Sequence, residues 1–248
     1  MPSRFSTLKI SRSGLKLFLE CPRCFWLDLH HKIKRPPSFP YTLASAVDYL
    51  VKLEFDKFRK KGELPPVLKN AGIKDAKLFN GDELPDWRNN FKGISYYDES
   101  QNAILYGAVD DILEYSDGSL AVIDYKSSGS REITIYDDYQ KQMDTYNYIL
   151  QQLGHQTYPE AYFVFYQVIK EGEKGFKNAL KFKEEVRPVK VNMDWVGPAF
   201  EQAVETSRSE SVPESRGKNG LPAQAGYCDH CHYVAMASKH SVSEDINI

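Results

Sequence analysis

The sequence lacks several features that define large classes of protein. Over its 248 residues, no apolar run reaches the roughly 18–20 residues that a membrane-spanning helix needs. The first 30 residues show no apolar core followed by a small-residue cleavage site, so a cytoplasmic location is expected. A Gly-x-x-x-x-Gly-Lys-Ser/Thr segment is also missing, so the phosphate-binding loop typical of nucleotide hydrolases is not predicted.

An excess of positive charge is missing as well. Lysine and arginine number 32 against 34 aspartates and glutamates, for a net charge of −2. Proteins that coat nucleic acid usually carry an excess of basic residues. The balance argues against a large passive nucleic-acid surface, but it does not exclude a basic groove beside acidic metal ligands.

Cysteine is scarce, and its positions are informative. The four cysteines form two C-x-x-C pairs, Cys21 with Cys24 and Cys228 with Cys231. In a protein without an export signal, this spacing indicates metal binding rather than disulfides. Four thiolates suit either tetrahedral Zn²⁺ or an iron–sulfur cluster, and the paired spacing alone favours zinc.

Apolar periodicity predicts alternating helices and strands. The predicted helices cover residues 11–29, with a break at Pro22, and 42–61, 136–153 and 194–206. The predicted strands cover residues 102–115, 120–126, 161–169 and 180–191. Residues 63–93 are predicted to form an irregular insertion with a short helix at most. A turn at residues 116–119 makes the first two strands a hairpin. Helices before, between and after a short set of strands indicate an α/β or α+β domain.

Two carboxylates and one ammonium are predicted to converge on this hairpin. Asp110 lies near the end of one predicted strand, and Asp124 and Lys126 lie near the end of the other. Side chains alternate along a strand, so residues 124 and 126 share a face. Mg²⁺ and Mn²⁺ take oxygen ligands, and a lysine can stabilise developing negative charge, so the set suits phosphodiester hydrolysis. The alternative is a solvated strand face, but charges that follow apolar runs are costly to bury without partners.

Four segments, in their order along the chain, resemble a known family. They are Cys21-Pro-Arg, Gly107-Ala-Val-Asp110, Val122-Ile-Asp-Tyr-Lys126-Ser and Gln142-x-x-x-Tyr146. Together they resemble the PD-(D/E)XK nuclease superfamily. Within it they are most similar to the RecB-like branch, which includes CRISPR adaptation exonucleases. The resemblance covers roughly residues 8–233, and residues 60–100 match nothing recognisable.

The resemblance implies a fold. It implies a restriction-endonuclease-like α/β core with a central mixed β-sheet flanked by helices. A cysteine-bound metal or cluster would join the N- and C-terminal segments. One nuclease domain would then span residues 1–248, with a cysteine-bearing segment at 10–35, the core at 40–206 and a second cysteine-bearing segment at 207–240.

The resemblance also implies an activity and its residues. The activity would be a Mg²⁺- or Mn²⁺-dependent deoxyribonuclease, expected to act as an exonuclease on single-stranded DNA or DNA ends. Asp110 and Asp124 would bind the metal ion, and Lys126 would be catalytic. Gln142 and Tyr146 share one helical face and would touch the catalytic groups or DNA, or else form a partly buried helix face. The cysteines would hold a 4Fe–4S cluster, with structural Zn²⁺ as the alternative. Partners would be DNA and helicase, CRISPR or recombination proteins, without a membrane.

One position departs from the family pattern. The RecB-like branch usually carries a metal-ligating histidine on an early helix, where this chain has Asp48. An aspartate can also ligate a hard cation, or Asp48 is only a surface helix residue. The missing histidine supports a second hypothesis, a catalytically weak or inactive nuclease-fold protein that binds DNA or acts as an adaptor. A third hypothesis is an interaction protein in which a zinc-bound cysteine set is the whole function.

Overall fold

The computed structural model describes residues 6–37, 42–170, 178–215 and 228–240. Its contacts divide the chain into two units. The terminal unit comprises the described residues of Met1–Ser38, Asp98–Ile104 and Gly197–Ile248, and the central unit those of Phe39–Tyr97 and Leu105–Val196. No helix of these described ranges is long and apolar enough to cross a membrane.

Helices and strands alternate along the described chain. The strands are β1 (Leu8–Ser11), β2 (Ala76–Leu78), β3 (Ile94–Asp98), β4 (Ala103–Gly107), β5 (Asp111–Tyr115), β6 (Leu120–Ser128), β7 (Glu160–Val168) and β8 (Phe182–Lys190). The helices are α1 (Arg12–Glu20), α2 (Pro22–His31), α3 (Thr42–Lys61), α4 (Pro66–Asn70), α5 (Leu84–Trp87), α6 (Asp137–Gln152), α7 (Val196–Arg208) and α8 (Asp229–Ser238).

A five-stranded sheet organises the central unit. Its strand order is β2-β5-β6-β7-β8. Strands β6 and β7 are parallel, with α6 connecting them, and the other three pairings are antiparallel. The predicted mixed sheet flanked by helices is therefore confirmed. Helix α3 packs on β6 through Val51 and Phe55, which are 5% and 1% exposed, so this helix is fixed against the middle of the sheet.

Local sequence signals explain the first helices. Ser11 caps α1, because its hydroxyl accepts a hydrogen bond from the Gly14 amide at 3.0 Å. Pro22 stands at the first position of α2, so the chain breaks at Cys21 as predicted. Within the terminal unit, the Trp26 indole donates to the Ser209 carbonyl at 2.9 Å. The His30 ring lies 2.7 Å from the Ser207 carbonyl, so α2 is attached to the end of α7.

The predicted bounds of the first hairpin strand are wrong. Residues 102–115 form two strands, β4 and β5, separated by Ala108–Asp110. The Val109 amide bonds to the Trp87 carbonyl at 3.1 Å instead of joining a strand ladder, so Asp110 immediately precedes β5. The second strand is longer than predicted, because β6 continues its parallel pairing with β7 to Ser128. Asp124 therefore lies in the middle of β6 rather than near its end.

Three other predictions need correction. Residues 63–93 contain two short helices, α4 and α5, and the short strand β2, which pairs with β5 at the sheet edge. Leu43 and Leu50 belong to the apolar stripe of α3, yet they are 59% and 62% exposed. Helix α8 was not predicted, and residues 216–227 of the predicted C-terminal cysteine-bearing segment lie outside the described residues.

Candidate active site and cysteine cluster

The hairpin register brings Asp110 to the side of Asp124. Asp111 pairs with Ile123 across the β5–β6 ladder, so the residue before Asp111 lies beside the residue after Ile123. The Asp110 carboxylate accepts a hydrogen bond from the Tyr125 amide at 3.0 Å. Asp110 is thus attached to the strand that carries Asp124, although it lies outside a regular strand itself.

Asp124, Lys126 and Gln142 contact one another. The ammonium of Lys126 lies 2.5 Å from one Asp124 oxygen, and the Gln142 amide donates to the other at 2.7 Å. Gln142 also accepts from Lys126 at 3.4 Å, which closes a triangle between β6 and α6. Asp124 is only 2% exposed, so these partners offset the cost of burying its charge.

Aromatic rings and a tyrosine hydroxyl surround this triangle. The Lys126 ammonium lies 4.8 Å from the centre of the Tyr139 ring and 5.8 Å from that of Phe163, within cation–π range. The Gln142 amide lies 3.4 Å from the Tyr146 hydroxyl. Gln142 and Tyr146 are both buried, so their shared helix face packs inward. Gln142 also contacts the charged groups of Asp124 and Lys126.

Lys52 belongs to this site and was missed in the sequence. Its ammonium lies 2.9 Å from an Asp48 oxygen and 2.8 Å from an Asp110 oxygen. Burial would lower the pKa of Lys52, but the charge of Asp110 and hydrogen bonds to Asp110 and Asp48 raise it overall. The available signal was the i, i+4 spacing of Asp48 and Lys52, which puts the two side chains on one face of α3.

Asp48 is partly buried beside Asp110, with 36% of its side chain exposed. Burial first, and then the charge of Asp110, raise the pKa of Asp48, and Lys52 and Lys126 offset part of the increase. We refer to Asp48, Lys52, Asp110, Asp124, Lys126 and Gln142 as the candidate active site. One cation, the Lys52 ammonium, already bridges Asp48 and Asp110. Carboxylate oxygens that share a cation in this way suit a hard divalent ion, and Asp110, Asp124 and Asp48 are the side chains that would hold it.

A largely buried cluster of charged side chains, which we call the buried ion cluster, contacts the backbone of Asp110. This cluster was not predicted from the sequence. It consists of Asp56, Arg59, Arg88 and Asp111. Arg59 donates to both oxygens of the fully buried Asp111 at 2.7 Å, and Arg88 donates to one of them at 2.5 Å. Arg88 also donates to the Asp110 carbonyl at 2.9 Å, so the cluster holds the backbone of the candidate active site.

The adjacent residues Asp110 and Asp111 therefore have different partners. Asp110 faces Lys52, while Asp111 faces the two arginines and accepts from the Tyr125 hydroxyl at 2.8 Å. Burial, followed by the charge of Asp111, raises the pKa of Tyr125 well above its usual value, so this hydroxyl remains a donor. The adjacent acidic residues were the sequence signal, but the sequence does not reveal which partner each one meets.

The four cysteines come together within the terminal unit. Their sulfur atoms all lie within 4.8 Å of one another, and we call them the cysteine cluster. The Sγ atoms are 3.8 Å apart for Cys21 and Cys231, 3.7 Å for Cys24 and Cys228, and 3.5 Å for Cys24 and Cys231. The N- and C-terminal cysteine pairs therefore come together, and this donor set could hold a metal.

The thiols of Cys24 and Cys231 are hard to ionise without a cation. Burial, and then the charges of Cys21 and Cys228, raise the pKa of Cys231 to about 12, although a hydrogen bond with Cys24 lowers it. A hydrogen bond with Cys21, and then burial, raise the pKa of Cys24, while Arg35 lowers it. The Arg35 guanidinium lies 3.3 Å from the Cys228 sulfur and pairs with Glu20. A bound metal ion would supply the charge that four thiolates require.

Comparison with known proteins identifies the class of protein that this fold and site define. Residues 81–236 match the model of the PD-(D/E)XK nuclease superfamily. The chain belongs to this superfamily, whose membership implies nuclease, and hence hydrolase, activity with a divalent metal ion. Because the match covers most of the core, a cysteine-based interaction protein is not the whole description of this chain.

Two further comparisons complete the findings. No curated protein matches the chain. A solved structure titled "Crystal structure of SSO0001" is similar over 83% of this chain and 79% of its own, with 11% sequence identity and a TM-score of 0.39.

Proposed function

We propose that this protein is a Mg²⁺- or Mn²⁺-dependent deoxyribonuclease of the RecB-like branch that acts as an exonuclease on single-stranded DNA or DNA ends. The observation that carries the proposal is the contact of Asp124 with both Lys126 and Gln142 beside Asp110. It supports a site in which two carboxylates bind one cation while a lysine remains within reach of the reacting phosphate.

The proposed roles follow from the contacts. A divalent ion held by Asp110 and Asp124, with Asp48 as a third carboxylate, would polarise the phosphate and acidify a bound water. Lys126 stabilises negative charge on the phosphate or orients the attacking water. Gln142 fixes the Asp124 carboxylate and the Lys126 ammonium relative to each other, and Tyr146 supports the Gln142 amide.

The test is cleavage of DNA oligonucleotides labelled at the 5′ or the 3′ end, with Mn²⁺, with Mg²⁺ and with a chelator. We expect wild type to shorten one labelled end progressively in the presence of metal, and Asp124→Asn to lose this activity. The matched control is Asp82→Asn, which removes an equal charge from an exposed position of the central unit. Cleavage by Asp124→Asn at the rate of the control would refute the assignment.

The second candidate function is a nuclease-fold DNA-binding or adaptor protein without catalysis. It is favoured by Lys52, whose ammonium bridges two of the carboxylates, and by the aspartate at the position of the usual histidine. For this candidate we expect the protein to shift the same oligonucleotides in a native gel. The cleavage assay should show no shortening with either metal. CRISPR or recombination proteins and helicases would then be its partners.

For the cysteine cluster we propose a single Zn²⁺ ion, the alternative that the spacing favoured, in place of the 4Fe–4S cluster. Four sulfurs at Zn–S distances of about 2.3 Å form a tetrahedron with edges of roughly 3.8 Å. The Sγ separations of 3.5, 3.7 and 3.8 Å fit that figure. In a 4Fe–4S cluster each thiolate binds a different iron atom, so the sulfurs are held farther apart than around one ion.

Elemental analysis of protein purified without oxygen, after expression with both zinc and iron, tests this point. We expect about one zinc per chain, no iron, and a colourless solution. Iron in stoichiometric excess over the chain, together with inorganic sulfide and a brown colour, would instead establish the iron–sulfur cluster.

A further inference from the structure

The Lys52 ammonium occupies the position between two carboxylates where a metal ion would bind. Lys52 projects from α3 and contacts Asp48 of the same helix and Asp110 before β5, at 2.9 and 2.8 Å. Its side chain is 24% exposed, so the ammonium is largely shielded from solvent while it pairs with both carboxylates. These are two of the three carboxylates that the proposed function assigns to the metal ion.

The local charges explain why a cation is needed there. Asp48, Asp110 and Asp124 bring three negative charges to one half-buried region, where charge–charge energies are several times those in water. Lys126 is engaged with Asp124, which leaves Asp48 and Asp110 to Lys52. A divalent ion held by these carboxylates would supply two positive charges, so they would no longer require the ammonium as a counter-charge.

From this geometry we propose that Lys52 is an internal counter-ion that competes with the divalent metal ion for Asp48 and Asp110. Metal binding displaces the ammonium from at least one of these carboxylates, and the displaced ammonium then pairs with a DNA phosphate. Lys52 is thus a positioning residue that links metal binding to DNA binding. The proposal rests on the proposed nuclease function, because it requires a metal ion at these carboxylates.

The first test is Mn²⁺ binding to the full chain, measured by calorimetry on zinc-loaded protein. Lys52→Met keeps the length of the side chain and removes its charge. We expect this variant to bind Mn²⁺ about tenfold more tightly than wild type, because a competing unit charge beside two ligands has gone. Lys52→Arg retains the charge and should stay within about threefold of wild type.

The matched control is Lys57→Met, an equal change of charge on the exposed side of the same helix. It should leave Mn²⁺ affinity within about twofold of wild type. If Lys52→Met binds Mn²⁺ as wild type does, or more weakly, while its melting temperature is retained, competition is wrong and Lys52 only holds the carboxylates in place.

Asp124→Asn separates failure of this proposal from failure of the proposed function. If its Mn²⁺ binding equals that of wild type, or if no variant binds Mn²⁺, the metal site itself is refuted. If Asp124→Asn loses binding and Lys52→Met does not gain it, only the role of Lys52 is refuted.

The second test addresses the displaced ammonium. Affinity for a single-stranded oligonucleotide is measured against salt concentration with Ca²⁺ present, a hard cation chosen to load the site without supporting turnover. Each phosphate contact to a single strand contributes about 0.7 to the slope of log affinity against log salt. Lys52→Met should lower the magnitude of the slope by that amount, and an unchanged slope would overturn the phosphate contact.

Discussion

At the scale of residues, the site depends on which side of a strand or helix each charged group faces. Alternation along β6 predicts that Asp124 and Lys126 share a face, and they are in contact. The sequence could not reveal that Asp110 faces Lys52 while Asp111 faces two arginines, because a chain that leaves the regular ladder has no fixed alternation. It also could not reveal Lys52, since an i, i+4 Asp–Lys pair is common on solvated helix faces.

Gln142 gives a prediction at this scale. Gln142→Leu keeps the helix and its packing volume but removes the amide that contacts Asp124 and Lys126. We expect a loss of DNA cleavage of about 10- to 100-fold, as is typical when a partner of a metal ligand is removed. Single-turnover cleavage with Mn²⁺ measures it, and Gln152→Leu, at an exposed position of α6, is the control. A rate equal to that of the control would mean that Gln142 does not position these groups.

At the scale of elements, periodicity predicted most helices and the main strands. Helix α3 has its predicted bounds, and α1 and α2 separate at Pro22. The errors fall where tertiary contacts decide. The bond from Val109 to the Trp87 carbonyl interrupts the predicted strand, and pairing with β5 makes a strand of Ala76–Leu78. Neither contact can be inferred from local periodicity.

The buried ion cluster gives a prediction at this scale. Asp111→Asn removes the buried carboxylate that Arg59 and Arg88 share. Breaking one partner of such a cluster costs about 3–5 kcal/mol of unfolding free energy, which urea denaturation measures. The exposed control Asp82→Asn should change it by about 0.5 kcal/mol or less. An Asp111→Asn loss as small as that of the control would show that the arginines find other partners.

At the scale of the whole molecule, the chain combines a nuclease core with a cysteine cluster that joins its ends. The family match covers residues 81–236, so it includes the second cysteine pair but not the first. The C-x-x-C spacing predicted that the four cysteines share a site. The spacing does not distinguish zinc from an iron–sulfur cluster, because both kinds of site accept it, and the zinc proposal rests on the sulfur separations.

Removal of the metal gives the prediction at this scale. The cluster brings together residues 204 positions apart, so a metal bound there would close a long stretch of chain as well as supply binding energy. Treatment with a strong chelator should lower the melting temperature of the terminal unit, observed by calorimetry, and added Zn²⁺ should restore it. An unchanged melting profile after complete metal loss, verified by elemental analysis, would mean that the cluster does not stabilise this unit.

The central claim is that Asp110, Asp124 and Lys126 form a metal-dependent nuclease site, and Lys126 tests it most directly. The measurement is the single-turnover rate of oligonucleotide cleavage in Mn²⁺ by wild type, by Lys126→Met and by the exposed control Lys69→Met. We predict that Lys126→Met is slower by about 100-fold or more, as is typical for loss of a group that stabilises transition-state charge, and that Lys69→Met equals wild type. Equal rates for Lys126→Met and wild type would contradict the account.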